Sequence, residues 1–317
     1  MNHLESSFSG KNNLWRYVVM LILLLAASNT IGAIPLIVAI AIKAGMDPSV
    51  LSDLAANPND IGILGLNPNL GLFLMLFPFL ASLVAFILLI RPLNQRTFKI
   101  TVNGTGSIRW KRFFISGLLW IFLSSIYLFL YLKADPSNFR LNNTSSTLIG
   151  LVIVSVVFIP FQATFEEVVF RGYLMQGFTV LTRYRWIPLI VTSLFFGIMH
   201  SFNPEVKEFG FLIMMPQYVL FGLIFGIITL LDDGIEASMG AHAANNIFLC
   251  IMVTNKASAL ETAAVYEQLN VFPWKEFIAL LISGVIFVIL LSRIFGWKDF
   301  SVLTAKVTGP TGNIQVP

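Results

Sequence analysis

The chain has 317 residues, of which 56% are hydrophobic and only 11% are charged, and its mean hydropathy is +0.82. Soluble domains carry about 25% charged residues, so this composition excludes a soluble globular protein and indicates a polytopic membrane protein. The net charge is only +4 and the basic residues cluster in loops, which excludes a nucleic-acid partner. The one cysteine, Cys250, excludes an intrachain disulfide and a thiolate metal cluster.

About 20 apolar residues cross a bilayer as a helix, and eight apolar segments approach that length. They lie at about 15–42, 70–90, 113–132, 147–171, 187–201, 209–231, 234–254 and 274–295. The sequence therefore predicts an all-α, polytopic membrane helix bundle of about eight transmembrane helices.

The same segments divide the chain into three parts. Residues 1–146 hold an N-terminal polar tail and three spans, and residues 147–254 hold a core of four spans. Residues 255–317 hold an outer loop, the last span and a tail that begins at Gly296. This tail is rich in Gly, Thr and Pro, so we expect it to be disordered.

The loop between the second and third spans has basic residues and no acidic one. Its basic residues are Arg91, Arg96, Lys99, Arg109, Lys111 and Arg112. The positive-inside rule places this loop in the cytoplasm, and eight spans then put both termini inside. We therefore expect a multi-pass protein of the plasma membrane with residues 43–69 and 255–273 outside. The acidic Asp232-Asp233 turn is cytoplasmic in this topology and does not follow the basic pattern.

The fourth predicted span ends in a charged stretch, Glu166-Glu167-Val168-Val169-Phe170-Arg171. Each charge costs a few kcal/mol at membrane depth, on the order of 3 on insertion scales, so such residues mark functional sites. Glu167 and Arg171 are i and i+4 on a helix, and we expect them to pair. Glu166 is rotated by about 100°, and we expect it to have no partner from this segment. The pattern is typical of a catalytic base beside its support; the alternative is a helix end whose charges sit in water.

Two of the three histidines, His200 and His242, fall in apolar segments, whereas His3 lies in the polar tail. Phe196 is one helical turn before His200 and shares its face. A lone histidine of this kind is often a core residue, so each histidine on its own is a weak signal.

His242 and Asn246 are i and i+4, so one face of their helix presents two side-chain donors. Asn245 competes with Asn246 for this role, and the spacing favours Asn246. A helix contact formed by a hydrogen-bonding Asn among small residues is the alternative.

Glu166, His200 and His242 lie on three different predicted spans. With Asn246 they could activate a water and stabilise an oxyanion. Glu166, His200 and His242 could instead bind zinc and leave one position open. In a zinc site each imidazole is fixed by a second-shell acceptor. The flanking residues offer few such acceptors, which favours chemistry without a metal.

Three motifs follow one another along the core: Glu166-Glu167-x-x-x-Arg171, Phe196-x-x-x-His200 and His242-x-x-x-Asn246. In this order and in apolar segments they resemble the CPBP (Abi) intramembrane protease family. That family includes the type II CAAX-prenyl endopeptidases and bacteriocin-processing or immunity proteins. The resemblance covers about residues 148–254.

The resemblance implies a role for each residue in the motifs. Glu166 would be the general base on the attacking water and His200 would assist it. His242 and Asn246 would form the oxyanion hole. The supporting residues would be Glu167, Arg171 and Phe196.

The family was named for metalloproteases, so the resemblance leaves a divalent metal such as zinc open as a cofactor. Its ligands would be Glu166, His200 and His242. The reaction of a glutamate-activated water does not require that ion, and no cofactor is firmly implied.

We therefore expect an intramembrane endopeptidase of the CAAX type whose partners are the lipid bilayer and a membrane-embedded, lipidated or bacteriocin-like peptide. One alternative is a proton-coupled transporter, because intramembrane Glu and His also form proton relays. The absence of an internal repeat speaks against that class. The other alternative is a non-catalytic immunity protein of the same fold, which intact motifs do not favour.

Overall fold

The computed structural model describes residues 3–56, 61–142 and 146–308. Most of these residues form α-helices, and the helices that build the bundle are long and apolar. The α-helices are α1 Leu14–Asn29, α2 Ile34–Met46, α3 Ser49–Ala56, α4 Pro68–Asn94, α5 Phe98–Asn103, α6 Trp110–Ala134, α7 Leu148–Glu167, α8 Met175–Thr182, α9 Trp186–Met199, α10 Pro204–Phe209, α11 Phe211–Asp232, α12 Glu236–Met252 and α13 Pro273–Phe295.

Six helical stretches in the described ranges are long and apolar enough to cross a membrane, which confirms the predicted all-α, polytopic class. They are Leu14–Met46, α4, α6, Leu148–Thr182, α11 and α13. The other two predicted spans correspond to shorter helices, since α9 has 14 residues and α12 has 17. Most of α12 is buried against α6, α7 and α11, so it does not need the apolar outer surface of a lipid-facing helix.

The fourth span does not end near Arg171. Instead, α7 passes into a π-helical segment, Val168–Leu174, which continues directly into α8. The helix stops after Thr182, where Arg183 adopts a left-handed conformation with φ of 61°. A π turn inside a helix is frequent at functional sites, because the extra residue changes which side chains share a face.

Close contact between α6 and α12 depends on Gly240. A Cβ atom at this position would collide with the carbonyl oxygen of Phe113 and with Ser116 Oγ. Gly117 lies against the Gly240 carbonyl on the same contact. Small residues let membrane helices approach at backbone distance, and this contact brings α12 into the centre of the bundle.

The turn between α11 and α12 meets the segment before α6, the first described residues and the segment after α13 at one end of the bundle, which we call the basic end. Arg109 Nη2 lies 3.2 Å from Asp232 Oδ2 and 2.6 Å from Glu236 Oε2. Arg112 Nη1 lies 2.7 Å from Asp232 Oδ1, and Trp297 Nε1 donates to the same oxygen at 3.0 Å. The acidic turn that departs from the basic pattern is therefore paired with the basic segment beside it.

The N-terminal residues pack into the basic end. The His3 backbone N–H donates to Asp233 Oδ1 at 2.9 Å, and His3 Nε2 lies 3.0 Å from the Arg171 carbonyl oxygen. Because a carbonyl only accepts, His3 Nε2 carries the hydrogen. Burial lowers the pKa of His3, which agrees with this neutral form.

The C-terminal segment is ordered as far as the structure describes it. Residues Phe300–Leu303 form a 3₁₀ turn, and the Val307 N–H donates to the Arg183 carbonyl at 2.8 Å. The prediction that the tail from Gly296 is disordered is therefore wrong up to residue 308. Its remainder, 309–317, lies outside the described residues.

At the opposite end a small sheet joins two connecting segments. Its strands are β1 Phe139–Leu141, β2 Val253–Thr254 and β3 Tyr266–Gln268, in the order β1-β3-β2. β1 pairs antiparallel with β3, and β2 pairs parallel with it. The sheet ties the segment after α12 to the segment after α6.

Candidate active site

The charged stretch of the fourth span lies inside the bundle. Glu167 and Arg171 have no exposed surface, and Glu166 is 8% exposed. The alternative in which these charges sit in water at a helix end is therefore wrong. Buried charges require partners, and the partners of each side chain define the site.

Glu167 is held between a guanidinium and an imidazole. Arg171 Nη1 donates to Glu167 Oε1 at 2.9 Å, which confirms the predicted i, i+4 pair. His242, on the neighbouring helix α12, has its Nδ1 atom 2.8 Å from the same oxygen. Because Oε1 accepts from Arg171, His242 Nδ1 carries a hydrogen and donates it to Glu167. The second guanidinium nitrogen, Nη2, donates to the Gly222 carbonyl at 3.2 Å.

Aromatic rings enclose this ion pair. The Arg171 guanidinium lies over the Phe196 ring, with Cζ 4.3 Å from its centroid. The His242 ring stacks on Phe225 at 5.2 Å between centroids and meets the edge of Phe196 at 5.9 Å. Water is excluded from these faces, which strengthens the hydrogen bonds between the charged groups.

Glu166 has a partner from its own segment, so the expectation that it has none is wrong. Gln162, four residues earlier on α7, donates from Nε2 to Glu166 Oε1. The Gln162 carbonyl oxygen accepts from Asn246 Nδ2 at 3.0 Å. Glu166 Oε2 lies 3.7 Å from His242 Nε2 and has no hydrogen-bond partner among the described residues. One carboxylate oxygen is thus held, and the other faces the imidazole.

Gln162 was not singled out as a site residue by the sequence analysis, although a signal was present. It stands at i and i+4 with Glu166, the spacing that correctly paired Glu167 with Arg171. Its amide also interrupts an apolar helix, where polar side chains need partners.

His200 belongs to the same aromatic group but not to the hydrogen-bonded cluster. It caps α9, and its Nδ1 lies 2.6 Å from the Phe196 carbonyl oxygen. The carbonyl only accepts, so Nδ1 carries the hydrogen and Nε2 remains an acceptor. Within the described ranges His200 forms no hydrogen bond to Glu166 or Glu167. Its ring lies 4.6 Å from the Phe196 ring, which in turn contacts His242.

Tyr218 of α11 is a second residue that the sequence analysis missed. Its ring stacks on His200 with 4.4 Å between centroids and an interplanar angle of 22°. Asn203 Nδ2 donates to the Tyr218 hydroxyl at 3.0 Å and fixes this ring. The polar Gln217-Tyr218 pair interrupts an apolar helix, and this interruption was the available signal.

Each of the two imidazoles lies within hydrogen-bond distance of an acceptor, so the expectation that few such acceptors are present is wrong. The acceptors are the Glu167 carboxylate and the Phe196 carbonyl oxygen. The three candidate zinc ligands nevertheless do not fit a metal site. In the part of the chain that the structure describes, no group of three or more His, Cys, Asp or Glu side chains is placed to hold a metal ion.

Comparison with known proteins agrees with the motifs. Residues 145–248 match the family described as "Rce1-like: Type II CAAX prenyl endopeptidase Rce1-like". The match spans about a third of the chain and includes Glu166, Arg171, His200, His242 and Asn246. The resemblance to CAAX-type membrane proteases is confirmed over this stretch.

A curated relative extends the similarity beyond the matched region. The "Uncharacterized protein YyaK" of Bacillus subtilis (strain 168) is 28% identical over 259 residues, which are 81% of this chain and 84% of the relative. No solved structure matches the chain.

Proposed function

We propose that this protein is an intramembrane endopeptidase that hydrolyses a peptide bond of a membrane-associated, lipid-modified substrate. The observation that carries the proposal is the buried Glu166 carboxylate, with one oxygen held by Gln162 and the other facing His242. The match of residues 145–248 to a prenyl endopeptidase family supports the same reaction class.

Glu166 is the general base of the proposed reaction. Its Oε2 takes a proton from a water molecule while the water oxygen attacks the carbonyl carbon of the scissile peptide. His200 Nε2 is an acceptor, since Nδ1 donates to the Phe196 carbonyl, and it orients the second hydrogen of this water. Glu166 then returns its proton to the leaving nitrogen as the C–N bond breaks. General acid–base catalysis of this kind contributes about 10²–10⁴-fold.

His242 and Asn246 stabilise the oxyanion of the tetrahedral intermediate. Glu167 holds the Nδ1 side of the His242 ring, so the opposite nitrogen, Nε2, points towards the reaction centre. His242 donates from Nε2 when the ring is protonated on both nitrogens. One N–H of the Asn246 amide is used by Gln162, and the other is free to donate. Preorganised donors of this type are usually the largest electrostatic contribution to acyl transfer.

Glu167 and Arg171 support the reaction from behind the imidazole. The Glu167 carboxylate fixes the tautomer and the orientation of His242, and Arg171 fixes Glu167. Both are fully buried and so do not meet a substrate in solution.

The substrate enters from the basic end in this proposal. Basic segments face the cytoplasm in membrane proteins, which supports a cytoplasmic position for the basic end. Lipid modification would hold the substrate in the bilayer beside the bundle.

A cleavage assay tests the proposal. Purified protein in liposomes is incubated with two quenched fluorogenic peptides that differ only in a C-terminal farnesyl-cysteine group. We expect cleavage of the farnesylated peptide, with products identified by mass spectrometry, and a loss of about 10² or more in Glu166→Gln.

Glu208→Gln is the matched control, because this glutamate is exposed on α10. It should cleave like the wild type. Equal activity of wild type and Glu166→Gln would contradict the proposal. An inactive wild type that moves protons across liposomes through Glu166 would favour the proton-coupled carrier.

A further inference from the structure

A continuous row of hydrogen bonds connects α6 to the Glu166 carboxylate. Trp120 Nε1 donates to Asn245 Oδ1 at 3.1 Å, and Asn245 Nδ2 donates to Asn246 Oδ1 at 3.0 Å. Asn246 Nδ2 donates to Gln162 Oε1 at 3.0 Å, and Gln162 Nε2 donates to Glu166 Oε1. We call these five residues the amide chain.

The two ends of the amide chain fix its direction. The Trp120 indole is a donor only, and an ionised Glu166 carboxylate is an acceptor only. Asn245 must therefore turn its oxygen to Trp120, and each following amide must accept from one neighbour and donate to the next. The oxygen and nitrogen of a carboxamide are otherwise assigned from their surroundings, and here both ends give the same assignment.

This direction decides which atoms of Asn246 are available at the site. Its oxygen is occupied by Asn245 and one amide hydrogen by Gln162, so the remaining hydrogen is a donor. A flipped Asn246 would offer a carbonyl oxygen and would repel an oxyanion. Amides in a row also polarise one another, which strengthens the last bond to Glu166.

We infer that Trp120, Asn245 and Gln162 are positioning residues, whose amide chain presents an N–H of Asn246 and the Oε2 oxygen of Glu166 to the substrate. The inference rests on the proposed function, because it assigns these residues to that reaction. Trp120, the first residue of the amide chain, lies on α6 and therefore outside residues 145–248, the region that matches the family.

Two variants cut the amide chain at opposite ends. Gln162→Met keeps the length of the side chain and removes both of its hydrogen bonds. Trp120→Phe removes the indole donor but keeps an aromatic ring among Phe225 and Phe287, which contact Trp120 at 5.9 and 4.8 Å between centroids. Either variant alone keeps the inference testable if the other fails to fold.

The kinetic readout separates positioning from general stability. Gln162→Met should lower kcat about 10-fold with KM unchanged, because it loses a hydrogen bond to the charged Glu166 carboxylate. Trp120→Phe should lower kcat about 5-fold with KM unchanged, because its lost hydrogen bond is to a neutral amide. The loss of kcat in the double variant should be no greater than the larger of the two single losses, because both changes break the same amide chain. Additive losses, or losses confined to KM, would overturn the inference.

Two controls remove similar groups elsewhere. Trp297→Phe removes an indole donor to Asp232 at the basic end, and Ser155→Ala removes a buried hydroxyl of α7 that has no hydrogen-bond partner in the described residues. Both controls should retain the wild-type kcat. A comparable loss in Trp297→Phe would show that any lost indole bond has this effect, and it would overturn the inference.

A second readout does not depend on turnover. In protein with ¹⁵N-labelled indoles, the resonance of Trp120 is assigned by its absence in Trp120→Phe. Gln162→Met should shift this resonance and speed its hydrogen exchange, whereas Ser155→Ala should not. A Trp120 resonance unmoved by Gln162→Met would overturn the inference even where Glu166-dependent cleavage supports the proposed function. If the Trp120 resonance shifts but the protein cleaves no peptide, the hydrogen bonds of the amide chain are supported and the proposed function is contradicted.

Discussion

Two neighbouring glutamates of α7 have different environments because their partners come from different directions. Glu167 is fully buried, and its negative charge is neutralised by the Arg171 guanidinium and by a hydrogen bond from His242. Glu166 receives one hydrogen bond from Gln162 and is 8% exposed. Oε2 of each glutamate has no hydrogen-bond partner among the described residues, but that of Glu166 lies 3.7 Å from His242 Nε2. The first arrangement suits a support and the second a base.

Arg171→Ala tests the supporting role. It would leave Glu167 buried without its cation, and breaking a buried ion pair in this way costs about 3–5 kcal/mol. We expect a lower thermal unfolding midpoint in detergent together with lost activity. Arg91→Ala, at an exposed position of α4, should change neither. If Arg171→Ala unfolds like the wild type while Glu166→Gln does not, support and chemistry have been assigned to the wrong residues.

The metal content of the purified protein tests whether these residues act with or without a bound metal ion. Glu166, His200 and His242 do not form a three-ligand group, so we expect less than one equivalent of transition metal in the purified protein. Activity should survive a strong chelator. Stoichiometric zinc that is lost together with activity, and restored with it, would contradict the proposed role of Glu166 as base on a free water.

At the scale of the elements, α12 positions the site because it packs closely on α6. Gly240 allows this contact, and it precedes His242 by two residues. At the start of α12, Glu236 accepts hydrogen bonds from Arg109, which fixes the helix end at the basic end. α12 is thus held both along its length and at its first turn.

Gly240→Ala tests this packing. Its Cβ would meet the backbone carbonyl of Phe113, which cannot move away as a flexible side chain could. We expect a destabilisation of about 1–3 kcal/mol, measured as a lower unfolding midpoint, and reduced activity through displacement of His242. Gly45→Ala in α2 is the matched control, because a Cβ there meets nothing within 4 Å. It should be neutral or stabilising, as Ala is the better helix former. An unchanged midpoint in Gly240→Ala would contradict the close approach of α6 and α12.

Local spacing predicted some of these features and missed others for physical reasons. The i, i+4 rule paired Glu167 with Arg171 correctly, and applied to Gln162 it would also have found the partner of Glu166. The contact of Glu167 with His242 joins residues 75 positions apart, so it depends on how α7 packs on α12. The fourth span was predicted too short because Glu166, Glu167 and Arg171 have partners inside the bundle, and the helix continues past them through a π-helical segment.

At the scale of the whole molecule, the first and the last described residues pack against the rest of the bundle. His3 contacts Asp233 and the Arg171 carbonyl, and Val307 contacts Arg183. From composition these segments were predicted to be polar tails. Their packing against the bundle could not be predicted, because the burial of a short polar segment leaves no periodic pattern in the sequence. The overall class was predictable, since it follows from the number and length of the apolar segments.

Accessibility of two introduced cysteines tests the orientation of the bundle. Ser52 and Ser107 are both exposed, and the natural Cys250 is only 2% exposed, so it gives little background. With the basic end in the cytoplasm, Ser52→Cys should react with an impermeant reagent in sealed cells, and Ser107→Cys should be protected. Reversed labelling would overturn the orientation and the side of substrate entry.

The origin of the oxygen in the product tests most directly whether Glu166 activates a water or attacks the substrate itself. A single turnover in H₂¹⁸O, with enzyme in excess over the farnesylated peptide, is analysed by mass spectrometry of product and protein. We expect one ¹⁸O atom in the new carboxylate of the product and none in the protein, because a water activated by Glu166 attacks the carbonyl carbon. An unlabelled product carboxylate with ¹⁸O in Glu166 would show that the glutamate formed a covalent acyl intermediate, and it would contradict its role as a general base.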